Sequence, residues 1–422
     1  MNRMRTALTL LLAALLIGMQ PLEALSAGAA SRQLSENSYK QLSKIHTLMD
    51  RERYHEALAG LDRMRPRVER KPYEHAVLLQ TYGHLYARQE QYPQAIAVLE
   101  QGLNLAVLPE AASQQALYLL AQLQLATADY QAAAISLERW FELEQQPAAA
   151  AHALAGTAYA YTKRYPDAVK HLSKAIELAQ NPDKNWYRQL LAVYYESSQY
   201  QAAVKLLQQL ITQSAGDKDY WLQLSGVYRE LGNDAQSLAV MELAYLRGLL
   251  TEETELVNLA RYYLYMELPY KAGQLLEQAL REGSIDPDID NWRLLNDAWV
   301  HAREPERALA ATERAMEFTR DADLHLVRAQ LLADREQWTD AHREVEAAIT
   351  IGGLDQPGKV HLLKGIAHYN LQQLHRAQVS FEHARDFEDT LKQAERWLTY
   401  VGSARSNVAG TQETALLRTG YK

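Results

Sequence analysis

From Ser35 onward the chain alternates two amphipathic patterns, each about a dozen residues long, whose apolar positions recur at three- and four-residue spacing. Such spacing puts the apolar residues on one face of an α-helix, so the sequence predicts a succession of short helices and no strands. One phrase recurs in every second helix: a polar turn, then a small residue, then a large apolar one. The small residue falls at Ala57, Ala95, Ala133, Ala168, Ala203, Ser237, Ala272, Ala308, Ala341 and Ala377, at intervals of 33 to 38 residues.

Three further positions keep this register. Twelve residues before the small residue lie Gly83, Ala121, Gly156, Ser225, Ala260, Ala329 and Gly365, with Leu191 and Asn296 breaking the rule. Nine before it lie Tyr86, Tyr159, Tyr194, Tyr228, Tyr263 and Trp299. Seven after it lie Gly102, Ala175, Ala244, Ala279, Ala315, Ala348 and Ala384. Small residues let paired helices approach closely, and an aromatic ring fills the space beside the contact with its hydroxyl at the wet edge. A helix pair repeating at about 34 residues is the tetratricopeptide (TPR) length. The predicted fold is therefore all-α, a TPR solenoid of about ten helix pairs over residues 30–387. A capping helix is predicted at 388–401, with Leu391, Trp397 and Leu398 as its apolar face, followed by a flexible polar tail at 402–422.

Proline fits this frame. Pro93, Pro166, Pro269 and Pro305 fall at the start of second helices, where a missing N–H has no consequence. Pro66, Pro72, Pro109, Pro147, Pro182, Pro287 and Pro357 are expected between pairs, outside any helix.

The first 29 residues read differently. Arg3 and Arg5 precede an apolar run from Ala7 to Met19, too short to span a bilayer, and Ala27-Gly28-Ala29 offers a small-residue cleavage site. Residues 1–29 are thus expected to be a signal peptide, directing a mature chain to the periplasm.

Composition narrows the chemistry. The chain has 422 residues, a formal charge of −8 and no cysteine, which excludes disulfides, thiolate metal sites and cysteine nucleophiles. The acidic balance gives no field for nucleic acid. With 25 tyrosines against 4 phenylalanines, tyrosine is the standard aromatic of the repeat. Gly353-Leu354-Asp355-Gln356-Pro357-Gly358-Lys359 resembles the start of a phosphate-binding loop, but Val360 stands where magnesium needs a hydroxyl, and a helix rather than a strand precedes it. We therefore expect an inter-pair turn there and no nucleotide. His361, His368, His375 and His383 enrich the last pair in imidazole without metal-site spacing, so no metal is expected. Neither a catalytic constellation nor a cofactor is expected.

First-helix positions that face away from the second helices carry Arg188, Tyr195, Arg229, Arg261 and Arg293. Guanidinium forks match carboxylate geometry, so these residues are the candidate partner-binding groove. The competing expectation is a solvated face with local pairing, such as Arg293 with Asp297 one turn on.

Several phrases outside the repeat consensus resemble one family. These are Asp219-Tyr220-Trp221-Leu222-Gln223-Leu224, Arg247-Gly248-Leu249-Leu250-Thr251, and Gly352-Gly353-Leu354 with Pro357-Gly358-Lys359-Val360-His361 and Gly365. In order and spacing, over roughly 181–401, they resemble the periplasmic TPR proteins encoded beside TonB–ExbB–ExbD energy-transducing systems; Tyr220-Trp221 departs from that family's double Trp. The resemblance implies a non-enzymatic adaptor with envelope partners, TonB or ExbD periplasmic segments among them. Alternatives are a scaffold for exopolysaccharide export or outer-membrane assembly, and an enzyme or metal carrier using the histidine-rich last repeats.

The leader reading predicts a mature N-terminus near Ala30. Intact-mass spectrometry of protein recovered from the cell envelope checks it, and a retained Met1 overturns it.

Overall fold

The computed structural model describes residues 33–419, with side chains through Ser406; the expected signal peptide lies outside the described residues. Those residues form 21 α-helices and no strand. They run α1 (Glu36–Asp50), α2 (Tyr54–Val68), α3 (Pro72–Arg88), α4 (Tyr92–Asn104), α5 (Glu110–Ala126), α6 (Tyr130–Leu143), α7 (Ala149–Tyr161), α8 (Tyr165–Leu178), α9 (Lys184–Glu196) and α10 (Tyr200–Gln213). There follow α11 (Lys218–Glu230), α12 (Asp234–Leu246), α13 (Glu253–Tyr265), α14 (Pro269–Glu282), α15 (Ile289–His301), α16 (Pro305–Met316), α17 (Ala322–Asp334), α18 (Trp338–Ile351), α19 (Pro357–Asn370), α20 (Leu374–Arg385) and α21 (Leu391–Thr419). These are ten helix pairs and a terminal helix, the predicted TPR fold.

Every pair closes through a turn of three residues. The middle residue is left-handed in all ten: Glu52, Glu90, Ala128, Lys163, Ser198, Gly232, Glu267, Arg303, Glu336 and Gln372. The N–H of the next residue reaches back to a carbonyl five residues earlier, as Gln91 does to Tyr86 and Glu304 to Trp299, both at 2.9 Å. This closes the first helix on itself and satisfies carbonyls that its end would otherwise leave unbonded.

The turn places the small residue of the repeat four residues further on, in the second turn's worth of contacts with the first helix. All ten are buried to within 1% of full exclusion. Opposite, the position twelve residues earlier meets the large residue four after the small one. A Cβ added to Gly83 would lie 2.5 Å from Leu99, one on Gly156 2.6 Å from Leu172, and one on Gly365 2.5 Å from Phe381. The two breaks in the small-residue rule are accommodated separately. Asn296 bonds the Ala308 carbonyl (3.1 Å) and the Thr312 hydroxyl, so a polar pair replaces glycine and leucine. Leu191 is itself buried, as is Ala203.

Contacts divide the chain into two compact units, one ending at Leu206 and one beginning at Leu207, within α10. The sequence led us to expect one array; packing only between neighbours supplies no long-range tie that would gather ten pairs into one cluster. The first unit holds cores around Leu42, Leu61 and Tyr82, around Leu99, Leu120 and Trp140, and around Leu137, Tyr159 and Leu172. The second holds cores around Leu326, Val345 and Val360 and around Phe381, Ala394 and Val401.

Two expectations need correction. Pro66 lies inside α2, and Pro72 and Pro357 open α3 and α19 at their first positions, where the missing N–H costs nothing, so these three are not outside the helices. Pro66 has no N–H to donate to the Asp62 carbonyl and so forgoes one bond of the helix, but Met64 and Val68 are both buried, and this apolar stripe carries the helix through the proline. The terminal helix does not stop at Val401 but continues to Thr419. No proline interrupts residues 402–419, and Ala, Leu and Gln there favour helix. Its buried residues are Ala394 and Val401, with Trp397 stacked on Phe381 at 5.3 Å, whereas Leu391 is exposed. Among the described residues no helix is long and apolar enough to cross a membrane.

Replacing Gly156 or Gly365 by Leu should lower stability by about 1–3 kcal/mol through overpacking, read as reduced melting midpoints in circular dichroism. Gly232 faces open space, so Gly232→Ala should cost only the left-handed backbone strain, about 1 kcal/mol.

Candidate partner-binding face

The first helix of each pair turns one side to its partner and leaves another free. In the first unit that free side of α9 carries Arg188 and Tyr195, both exposed, and the Tyr195 ring meets Tyr200 edge-on at 5.5 Å. In the second unit Arg229 on α11 and Arg261 on α13 are exposed. No ion pair engages Arg188, Arg229 or Arg261 among the described residues. Exposed apolar groups lie on the same helices, including Tyr265 on α13 and Val300 on α15. Tyr265 and Tyr262 both reach Asp234, at 3.4 and 3.2 Å.

Arg293 behaves differently. Its guanidinium pairs with Asp321, not with Asp297. Asp321 is the N-cap of α17 and accepts the N–H of Asp323 at 2.9 Å. Arg293 therefore ties one pair to the next and is less available to a partner than the three other arginines. Nothing in the sequence signals this, because the two residues are 28 apart and meet only once the pairs stack.

A recurring joint forms where one pair meets the next. A cation lies between a ring of its own pair, nine residues before the small residue on the first helix, and a carboxylate five residues after the small residue of the preceding pair. Tyr263 sits 5.6 Å from Lys271, which bonds Glu242 at 2.6 Å. Trp299 lies 4.5 Å beneath Arg307, whose partner Glu277 is 3.6 Å away. In the first unit Tyr159 lies 4.5 Å from Arg164, which bonds Glu138 at 2.5 Å. Burial, then the Glu138 charge, pushes the Tyr159 hydroxyl up to about 12; burial and Glu242 push Tyr263 further in the same direction. The tyrosines thus remain neutral, as hydrogen-bond donors to carboxylates. The aromatic register was legible in the sequence; its charged partners were not, since they come from the neighbouring pair.

The glycine-rich stretch 353–359 forms the turn from α18 into α19, with Gly352 and Gly353 left-handed and Pro357 in the first turn of α19. Among the described residues no group of three or more His, Asp or Glu side chains is placed to hold a metal ion.

No family model matches the chain, and no curated protein matches it. Among solved structures it is similar to YrrB, described as a TPR protein with an unusual peptide-binding site (18% identity, 45% of this chain and 96% of that one, TM-score 0.36). It is also similar to a TPR protein from Parabacteroides merdae (13% identity, 71% of this chain and 100% of that one, TM-score 0.36). A third is the C-terminal part of a TPR protein from Cytophaga hutchinsonii (16% identity, 58% and 98%, TM-score 0.39). The fold assignment itself rests on the ten pairs and their register.

The half-exposed Arg293–Asp321 pair should be worth about 0.2–1 kcal/mol. A double-mutant cycle of Arg293→Ala and Asp321→Ala, followed by urea melts, measures it; a coupling near zero would return Arg293 to the solvated face.

Proposed function

We propose that the chain is a non-enzymatic scaffold of the periplasm that holds another envelope protein on the free side of its first helices, as part of a TonB-type energy-transducing system. The observation that carries the binding role is the pair of exposed guanidiniums at Arg229 and Arg261 in the second unit, which no ion pair engages among the described residues, with Tyr265 exposed on the helix of Arg261; Arg188 with Tyr195 on α9 offers the same chemistry within the first unit. In a chain of net charge −8, cations left without carboxylates invite acidic side chains from outside. Aromatic groups beside arginines are the composition of binding hot spots. Repeat proteins offer extended surfaces and no enclosed site, which suits a protein partner.

The location follows from the leader-like first 29 residues, and the TonB-type connection from the phrases around Tyr220-Trp221, Arg247-Gly248 and Gly352-Gly353. TonB and ExbD periplasmic segments are the partners to try first.

The test is binding of the purified chain to periplasmic domains of TonB and ExbD, supported by crosslinking in envelope extracts. Changing Arg188, Arg229, Arg261 and Arg293 to Ala together should weaken binding and flatten its salt dependence. Equal affinity in the quadruple variant, with helical content intact, overturns the binding face. Recovery of export or outer-membrane assembly proteins without TonB or ExbD overturns the connection to that system.

A further inference from the structure

In the last pair the joint described above changes chemistry. The ring position is taken by His368, buried on α19, and the cation by Arg376 on α20. The carboxylate of the preceding pair is Glu346 on α18. The ion pair is rearranged. Glu346 bonds Lys364 of α19 at 2.6 Å and lies 3.4 Å from His342 of its own helix. Arg376 is left with an amide oxygen, Gln373 Oε1, at 3.4 Å. No carboxylate neutralises it among the described residues.

The three helices enclose an open cleft of about 430 Å³. From α18 it receives His342 and Glu346, and from α19 it receives His361, Lys364 and His368. From α20 come His375, Arg376 and His383. Asp386, just beyond α20, acts on His361 from the rim. Five imidazoles, a lysine and an arginine therefore face one inward carboxylate and one at the edge. His375, Arg376 and His383 are exposed, and no hydrogen bond or ion pair to His375 or His383 occurs among the described residues.

The hydrogen bonds fix the protonation pattern. Gln373 Oε1 accepts from His368 Nδ1 at 2.8 Å, which leaves His368 Nε2 as the acceptor. His342 Nε2–H donates to it across 3.3 Å. That contact requires at least one neutral ring. His361 lies 5.5 Å from His383 and stacks on Phe387. Burial, then the neighbouring cations and imidazoles, hold His342, His361 and His368 below the ordinary imidazole range. Each would take up a proton more readily with an anion in the cleft.

We propose that this cleft binds an acidic peptide segment through its carboxylates, and binds it more tightly as the imidazoles become protonated. Its cationic groups are spread over three helices, in the His342–His368 pair, the His361–His383 pair and Arg376. That spacing suits several carboxylates on one chain better than a single small anion. None of Arg188, Arg229 and Arg261 lines the cleft, so it stands or falls independently of the binding face proposed above.

The sign of the pH effect follows from linkage. Imidazoles held neutral in the fold give stability that is present above the unfolded-chain value of about 6.5 and lost as pH falls below it. Acidic ligand reverses this locally, because it favours the protonated rings. Fluorescence anisotropy of labelled hexaglutamate with the full chain, at constant ionic strength, should show affinity rising about tenfold from pH 7.5 to 5.5, which corresponds to an average uptake of about half a proton on binding across that range. The melting temperature at pH 5.5 should rise when the peptide is added. His342→Gln with His361→Gln should flatten the pH dependence, and Arg376→Gln should weaken binding at both pH values. Lys205→Gln, at an exposed lysine of α10 that does not line the cleft, should leave binding unchanged. Affinity independent of pH, or the same rise in the His342→Gln/His361→Gln variant with its helicity intact, overturns the proposal. So does inorganic phosphate binding as tightly as the peptide with the same pH profile, which would mark a small-anion site.

Discussion

Close approach of two helix backbones at a small residue is the constraint on which the rest depends. A methyl group is all that the second helix presents at nine of its ten contact points, and Ser237 uses its hydroxyl to bond Ser225 at 2.8 Å. Once the axes are that close, the residue one turn on must enter the facing helix, which is why Leu99, Leu172 and Phe381 lie against glycines. A larger residue on either side pushes the axes apart. The Asn296–Thr312 pair indicates the tolerance: total volume and hydrogen bonding can be redistributed within a contact, but its dimensions hold.

Stacking of pairs adds a second layer of interactions, and these are electrostatic as well as apolar. Lys271, Arg307 and Arg164 each cover a ring and pair with a carboxylate from the preceding pair. On exposed pairs such contacts contribute little individually. Their value lies in matching one pair to its neighbour, because the carboxylate comes from the preceding pair and the ring and cation from the next. The last pair keeps the register but puts His368 in the ring position and pairs Glu346 with Lys364 instead of Arg376, so the joint that departs from the common chemistry is also the one beside the terminal helix.

The sequence disclosed the helices, their pairing and the burial of the ten small residues, because these depend on spacing within some twenty residues. Ala57 to Ala377 stand four residues beyond each left-handed turn residue plus one, a relation that period alone could anticipate. What escaped were contacts between pairs. Asp321 as the partner of Arg293, Glu242 as the partner of Lys271, and His342 as the fifth imidazole of the cleft all come from adjacent pairs. Aligning each pair on its small residue, then comparing the positions one before, nine before and five after, would have brought Glu346, His368 and Arg376 to notice, but not His342, which stands one residue after Ala341. Pro66 and the length of α21 escaped for another reason: helix ends are decided by what the final turn buries, as Val68 shows, more than by the residue that ordinarily stops a helix.

The uniform three-residue turns have a consequence for how such a chain can change. One inserted residue advances an α-helix by about 100°, so an insertion in any turn would rotate the small residue out of its contact and bring a polar side chain in. The turns within pairs therefore act as phase locks. The connections between pairs carry no such condition and range from three residues, between α2 and α3, to six, between α12 and α13. Variation in length is thus confined to one class of loop, and the chain can adjust the spacing of its modules while the internal geometry of each module stays fixed.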